Sequence, residues 1–282
     1  MKKILTWALV LPLTASVMLS SCKKDDDDIP TTPTPVNNPV KGKTLIGKAT
    51  SDSAEIDIRV YADEALFVGY NKIYVMLYEK GSDKQIMKAE VSYDPMMSMS
   101  GGMNHSCPIE NPDMTAPKDG LFEGAIVFVM PTTAMDGWTL GIRVHNLVNS
   151  KEGSAEMSVT VIEPTDARMY SFVSPVDSKK IFISMLEPAK PEVGMNDFVV
   201  TAHFKESAMN WPALEDLHIE FEPYMPTMGH GSPNNVNPVH MKDGHYQGVV
   251  NFTMSGLWQL FMTIKDNQDV VLDDANSFYL NF

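Results

Sequence analysis

Two short stretches of this chain gather soft sulfur and imidazole in turn-forming surroundings. DPMMSMSGGMNHSCP, residues 94–108, carries Met96, Met97, Met99, Met103, His105 and Cys107, with Met114 just beyond. YMPTMGHGSP, residues 224–233, carries Met225, Met228 and His230, and His240, Met241 and His245 follow. Pro, Gly and Ser punctuate both, as in turns. A thioether gains nothing from water, so methionine in a turn asks for a reason. Thioether and thiolate donors select soft ions, Cu(I) above all, and imidazole suits either copper state. Hard cations want oxygen cages, and no loop of regularly spaced carboxylates is present. A structural zinc site would show several thiolates or closely spaced histidines, and one loop cysteine does not supply them.

The expected metal is therefore copper. The candidate ligands are Met225, Met228, His230, His240 and His245 in one segment, and Met97, Met99, Met103, His105 and Cys107 in the other. Methionine also fills awkward gaps in cores. Met130 and Met254 fall on the inward parity of apolar strands and read as packing. His240 and His245 flank a hairpin turn, where solvent exposure is the alternative to ligation. Ser232 stands where the other segment has Cys107, so a thiolate is not essential to both sites. His145, His203 and His218 lie in strand-like surroundings and read as structural or exposed.

The elements that must hold these residues occur twice. Val68-Gly69-Tyr70-Asn71 returns as Val193-Gly194-Met195-Asn196, 125 positions later. Met103 to Pro108 returns as Met228 to Pro233 at the same offset, and KDGLFEGAIVFVM (118–130) returns as KDGHYQGVVNFTM (242–254) at 124. Blocks in one order at one spacing mean a duplicated domain, and the period is far too long for a solenoid. Within each copy Ile56-Asp57-Ile58-Arg59-Val60 and Leu217-His218-Ile219-Glu220-Phe221 alternate in the manner of half-buried strands. Short strands, frequent Gly/Pro/Asn breaks and no sustained helical period predict an all-β protein of two tandem immunoglobulin-like β-sandwiches. The boundary is expected near Glu163-Pro164-Thr165, giving domains at 44–164 and 165–282.

Ahead of them, Lys2 and Lys3 precede an apolar run from Ile4 to Leu19 and the small residues Ser20 and Ser21, which reads as a secretory signal over 1–21. Leu19-Ser20-Ser21-Cys22 resembles a bacterial lipobox, which implies lipidation of Cys22 and a membrane partner. CKKDDDD resembles the acidic export tag of Bacteroidetes surface lipoproteins. That implies an outer-membrane anchor facing the cell surface, with the periplasmic face as the alternative. Residues 22–43 are charge, Thr, Pro and Asn, and read as an extended stalk. The formal charge of −14 and the absence of a Lys/Arg cluster exclude nucleic acid as a partner class. With Cys22 lipidated only Cys107 remains, so no disulfide framework forms within a monomer.

Val-Gly-x-Asn, Met-Pro-x-Met-x-His, Asp-Gly-x-Tyr-x-Gly and Phe-x-Met-x-Gly-x-Trp follow one another through Val193–Asn196, Met225–His230, Asp243–Gly248 and Phe252–Trp258. This succession resembles the YtkA-like domain, which is related to FixH-like proteins. The resemblance implies an exported Ig-like sandwich with a role in copper handling or delivery to a receiving protein. The first copy matches more loosely, with a longer methionine loop and an expanded PTTAMDGW. Two functions from different classes follow: a copper-binding lipoprotein without catalysis, and a surface module that binds protein or glycan through its sandwiches. Catalysis is not expected, since no Ser-His-Asp order, GxSxG, HExxH or phosphate loop occurs. Blue-copper electron transfer would need one Cys, two His and a Met. Cys107, His105 and Met114 supply only part of that set, at the wrong spacing.

Overall fold

Alternation decides the architecture. In β2 (Ile56–Ala62) every second residue is buried, and the same period runs through β13 (His218–Met225) and β17 (Leu257–Lys265). Successive side chains of a strand point to opposite faces, so such segments bury one face against a second layer. The computed structural model describes residues 38–282 apart from Met114, Ala116 and Lys118. The signal segment, the lipidation residue Cys22 and the first part of the stalk lie outside the described residues, as does Met114.

The first sandwich sets one sheet, in spatial order β1 (Thr44–Ser51), β2, β3 (Gly69–Glu79), β7 (Phe122–Phe128) and β6 (Ile109–Glu110), against another. That other sheet runs β5 (Asn104–His105), β4 (Ala89–Ser98), β8 (Gly137–Asn146) and β9 (Lys151–Val159). The second sandwich repeats the plan. Its first sheet runs β10 (Met169–Val173), β11 (Lys180–Glu187), β12 (Gly194–Lys205), β16 (His245–Phe252) and β15 (Val236–Lys242). Its second runs β14 (His230–Gly231), β13 and β17, with β18 (Val271–Asp273) and β19 (Ser277–Asn281) both pairing β17. The strands pair antiparallel throughout the described residues, and no helix occurs among them. The protein is thus all-β, with a sandwich-like arrangement in each half.

Each half has its own core. Phe122, Phe128, Trp138, Ile58 and Leu140 fill the first, and Phe198, Tyr246, Phe252, Trp258 and Leu260 the second. Val161 still belongs to the first core and Ile162 bridges to Phe67, while Met169, which opens β10 of the second sandwich, also packs against the first core.

The recurring Val-Gly-x-Asn blocks have a local cause. The Asn71 amide donates to the Phe67 and Gly69 carbonyls and its oxygen accepts the Phe67 N–H, at 2.8–3.0 Å. Asn196 makes the same three bonds with Glu192 and Gly194. Gly69 (φ 132°) and Gly194 (φ 112°) adopt a backbone that a side chain disfavours, and the asparagine ties it down. The Asp-Gly turns before β7 and β16 have both residues at positive φ: 51° and 78° at Asp119-Gly120, 50° and 73° at Asp243-Gly244. That is the tight turn whose twist matches a hairpin.

Candidate metal centre

The Met/His segments form the same corner in both sandwiches. In the first, Met97 on β4 lies directly opposite His105 on β5; in the second, Met225 on β13 lies opposite His230 on β14. Residues opposite one another across an antiparallel pair share a face, with Cβ atoms about 5 Å apart. Each methionine and its histidine therefore project to the same side, toward the end of the core. There each imidazole stands edge-on to a tryptophan, His105 at 5.6 Å from Trp138 and His230 at 5.8 Å from Trp258, centroid to centroid. Each indole N–H in turn donates to a methionine carbonyl, Met130 at 2.9 Å and Met254 at 3.0 Å. Those two methionines contribute a backbone atom that fixes the indole under the imidazole.

The hydrogen bonds of the imidazoles settle their tautomers. Nδ1 of His105 lies 2.8 Å from the Ser106 carbonyl, and Nδ1 of His230 lies 2.8 Å from the Gly231 carbonyl. A carbonyl only accepts, so Nδ1 carries the proton and donates. In the neutral ring Nε2 is then left with its lone pair. Metal-ligating histidines are commonly oriented in this way, one nitrogen held by backbone and the other turned to the ion.

The methionines divide into two kinds. Met97 and Met225 are buried members of the two cores. Met103 and Met228 sit at the loop tips and are exposed. Met99 packs partly against the first core, and its N–H and carbonyl close the loop through Met103 and Gly102. Each corner thus carries one core methionine, one exposed methionine at the loop tip and one oriented imidazole. Among the described residues no group of three or more His, Cys, Asp or Glu comes close enough to hold a metal ion.

Three expected ligands stand elsewhere or in another state. Cys107 is buried in the first core, and burial pushes its thiol well above the usual range, which keeps it protonated. His240 and His245 do not join the Met225/His230 corner. Strand β16 runs the length of the sandwich, with Phe252 beside Trp258 at the loop end and His245 seven residues away at the other. At about 3.3 Å per residue that is roughly 20 Å. His240 lies opposite Tyr246 on the edge strand β15, with a buried Nε2 that has no partner among the described residues. Trp138, Trp211 and Trp258 are all buried, so none of them offers an exposed platform to a sugar.

His245 belongs to a junction between the sandwiches that the sequence did not disclose. Its Nε2 donates to Glu110 at 2.7 Å, and the Tyr70 hydroxyl donates to the other Glu110 oxygen at 2.8 Å. Burial opposes ionisation of Glu110, yet the bonds from His245 and Tyr70 outweigh it and hold the carboxyl below its ordinary value. Burial and the neighbouring carboxylate push the Tyr70 hydroxyl upward. His203 is buried beside them, and burial lowers its imidazole to about 4. A cleft of about 530 Å³ opens here, with Tyr70, Lys72, Glu110, His203, Trp211 and His245 on its walls. No spacing rule links residues 135 positions apart, so nothing in the sequence marked this group.

Residues 175–263 match the YtkA-like family, which covers most of the second sandwich, including the Met225/Met228/His230 corner. No curated protein matches the chain. Among solved structures, a conserved domain protein from Bacillus anthracis aligns over 86% of this chain and 90% of its own, with 8% identity and a TM-score of 0.34. Domains 5–6 of the S-layer protein SbsC align over 85% and 98%, with 10% identity and a TM-score of 0.29. The Yersinia pseudotuberculosis adhesin InvE aligns over 86% and 59%, with 11% identity and a TM-score of 0.23. The chain therefore carries, in its second sandwich, a region similar to the YtkA-like domain.

Proposed function

We propose that this protein is an exported, lipid-anchored copper protein that holds Cu(I) at the Met/His corner of each sandwich and passes it on by ligand exchange, without catalysis. One observation carries the reading. In both halves an imidazole has Nδ1 committed to a carbonyl at 2.8 Å and lies opposite one methionine and two residues from another. Two thioethers and one neutral imidazole suit a soft monovalent ion and discriminate against Ca²⁺ and Mg²⁺. Met103 or Met228 supplies the accessible thioether, Met97 or Met225 the inner one, and His105 or His230 the nitrogen. A three-donor set at a loop tip leaves a coordination position to an incoming ligand, the requirement for handing an ion to a receiving protein.

The YtkA-like match over the second sandwich supports this reading, as does the signal-and-lipobox pattern ending at Cys22. We assign the anchor to the outer membrane, facing the cell surface. By the same argument the first sandwich is a second, diverged YtkA-like copy. The test is a Cu(I) competition titration on the lipid-free chain. Two equivalents are expected, falling to one when Met228 and His230 are both replaced by alanine. An affinity and stoichiometry unchanged by that double replacement would sink the proposal.

A further inference from the structure

The two corners are built alike but stand in unlike surroundings. The two tip methionines are alike, Met103 at 63% and Met228 at 62% exposed, and around the second corner Val193 and Met195 are exposed as well, at 59% each. Around the first, Val68, the counterpart of Val193, is 6% exposed, and its N–H donates to the Ile162 carbonyl at 2.9 Å. His105 is 7% exposed, whereas His230 is half-buried. Over His105 the added cover comes from the second sandwich. In the connection from β12 to β13, the Ala208 carbonyl accepts the Ser106 N–H at 2.8 Å, right beside His105. The Trp211 ring lies 6.2 Å from the His105 ring, so His105 stands between two indoles.

The covering turn is preformed. The N–H groups of Glu206 and Ser207 donate to the Asn210 carbonyl at 3.1 Å, and the Ser207 hydroxyl accepts from Met209 and Asn210. No corresponding cover lies over His230 among the described residues. The junction behind the turn is polar, held by His245 and Tyr70 on Glu110 beside an open cleft, and polar contacts between domains allow relative motion.

We propose that turn 206–211 is a cap on the first corner. The second corner is open at its imidazole and exchanges its ligand with solvent and partners; in the first the tip thioether of Met103 stays exposed while the imidazole of His105 is shut away until the junction loosens. The ligand class follows from the copper reading above, on which that part rests, but the cap itself does not require it.

The test begins on the metal-free full chain with diethyl pyrocarbonate, which modifies accessible imidazole nitrogen, read residue by residue by mass spectrometry. His230 should react at least about tenfold faster than His105, the ratio set by a local opening equilibrium. Trp211→Ala should raise the His105 rate and leave His230 unchanged. His245→Leu gives an independent route: it installs the residue that the first copy has at that position, Leu121, and leaves Glu110 with Tyr70 alone. Equal rates for His105 and His230 in the unaltered chain, or protection of His105 that survives both variants, overturns the cap. With two equivalents of Cu(I), a chelator should then withdraw metal in two phases, the slower one missing in His105→Ala. Absence of Cu(I) binding with the labelling pattern intact would remove the copper reading and leave the cap. Two bound ions with equal labelling would do the reverse.

Discussion

Acidification should weaken the second sandwich through one side chain, His203. The residue lies on β12, 5% exposed, and its ring packs where Glu110 raises and His245 lowers its proton affinity, with burial the largest influence. The folded value is about 4 against an ordinary 6.5, so the unfolded chain takes up a proton that the folded one refuses. The unfolded state binds more protons between these values, so stability falls as pH drops from about 6.5 to about 4, then levels off. The full effect is about 3 kcal/mol, of which about 2 kcal/mol is present at pH ~5. In a urea titration with a slope of about 2 kcal/mol per molar, the midpoint should drop by about 1 M between pH ~7.5 and pH ~5. His203→Gln, which cannot take up the proton, should lose most of that drop while keeping whatever the other groups contribute. Glu110, held below its ordinary value, contributes in the same direction at lower pH, and it does so in both proteins. A glutamine variant that loses as much stability as the parent over this interval would refute the argument.

Two further outcomes are expected. Asn71→Ala should cost about 2–4 kcal/mol, because it strips three hydrogen bonds from a buried turn. Asn196→Ala, at the half-buried counterpart, should cost less, about 1 kcal/mol; equal losses by thermal unfolding would show that burial does not set the difference. Cys107 should resist alkylation by iodoacetamide in the native protein and react on unfolding in urea, and Cys107→Ser should leave Cu(I) stoichiometry unchanged. Fast native alkylation would contradict the buried, protonated thiol.

Much of the fold was legible because its signals are local. The parity of Ile56, Ile58 and Val60 and the Asp-Gly turns need only neighbouring residues to be read. The recurrence of Val-Gly-x-Asn was legible because both blocks answer the same backbone demand. The corner was half legible. The sequence placed Met225, Met228 and His230 together, but it did not tell that Met225 turns into the core while Met228 stays in water. That distinction depends on the register of β13 against β14, which puts Met225 opposite His230 and leaves Met228 at the tip between them. His240 and His245 were grouped with the corner through nearness to a hairpin, and a strand's length carried them away. The Glu110 junction was invisible, since it arises only when two folded bodies meet.

The indole beneath each imidazole makes the molecule its own spectrometer. Trp138 and Trp258 are rigidly hung from backbone carbonyls within 6 Å of the rings above them, so their emission senses whatever happens there. Imidazolium and copper both quench indole light. A chain that keeps Trp258 as its sole emitter reports the open corner, and one that keeps Trp138 reports the shut one, with no label attached to either.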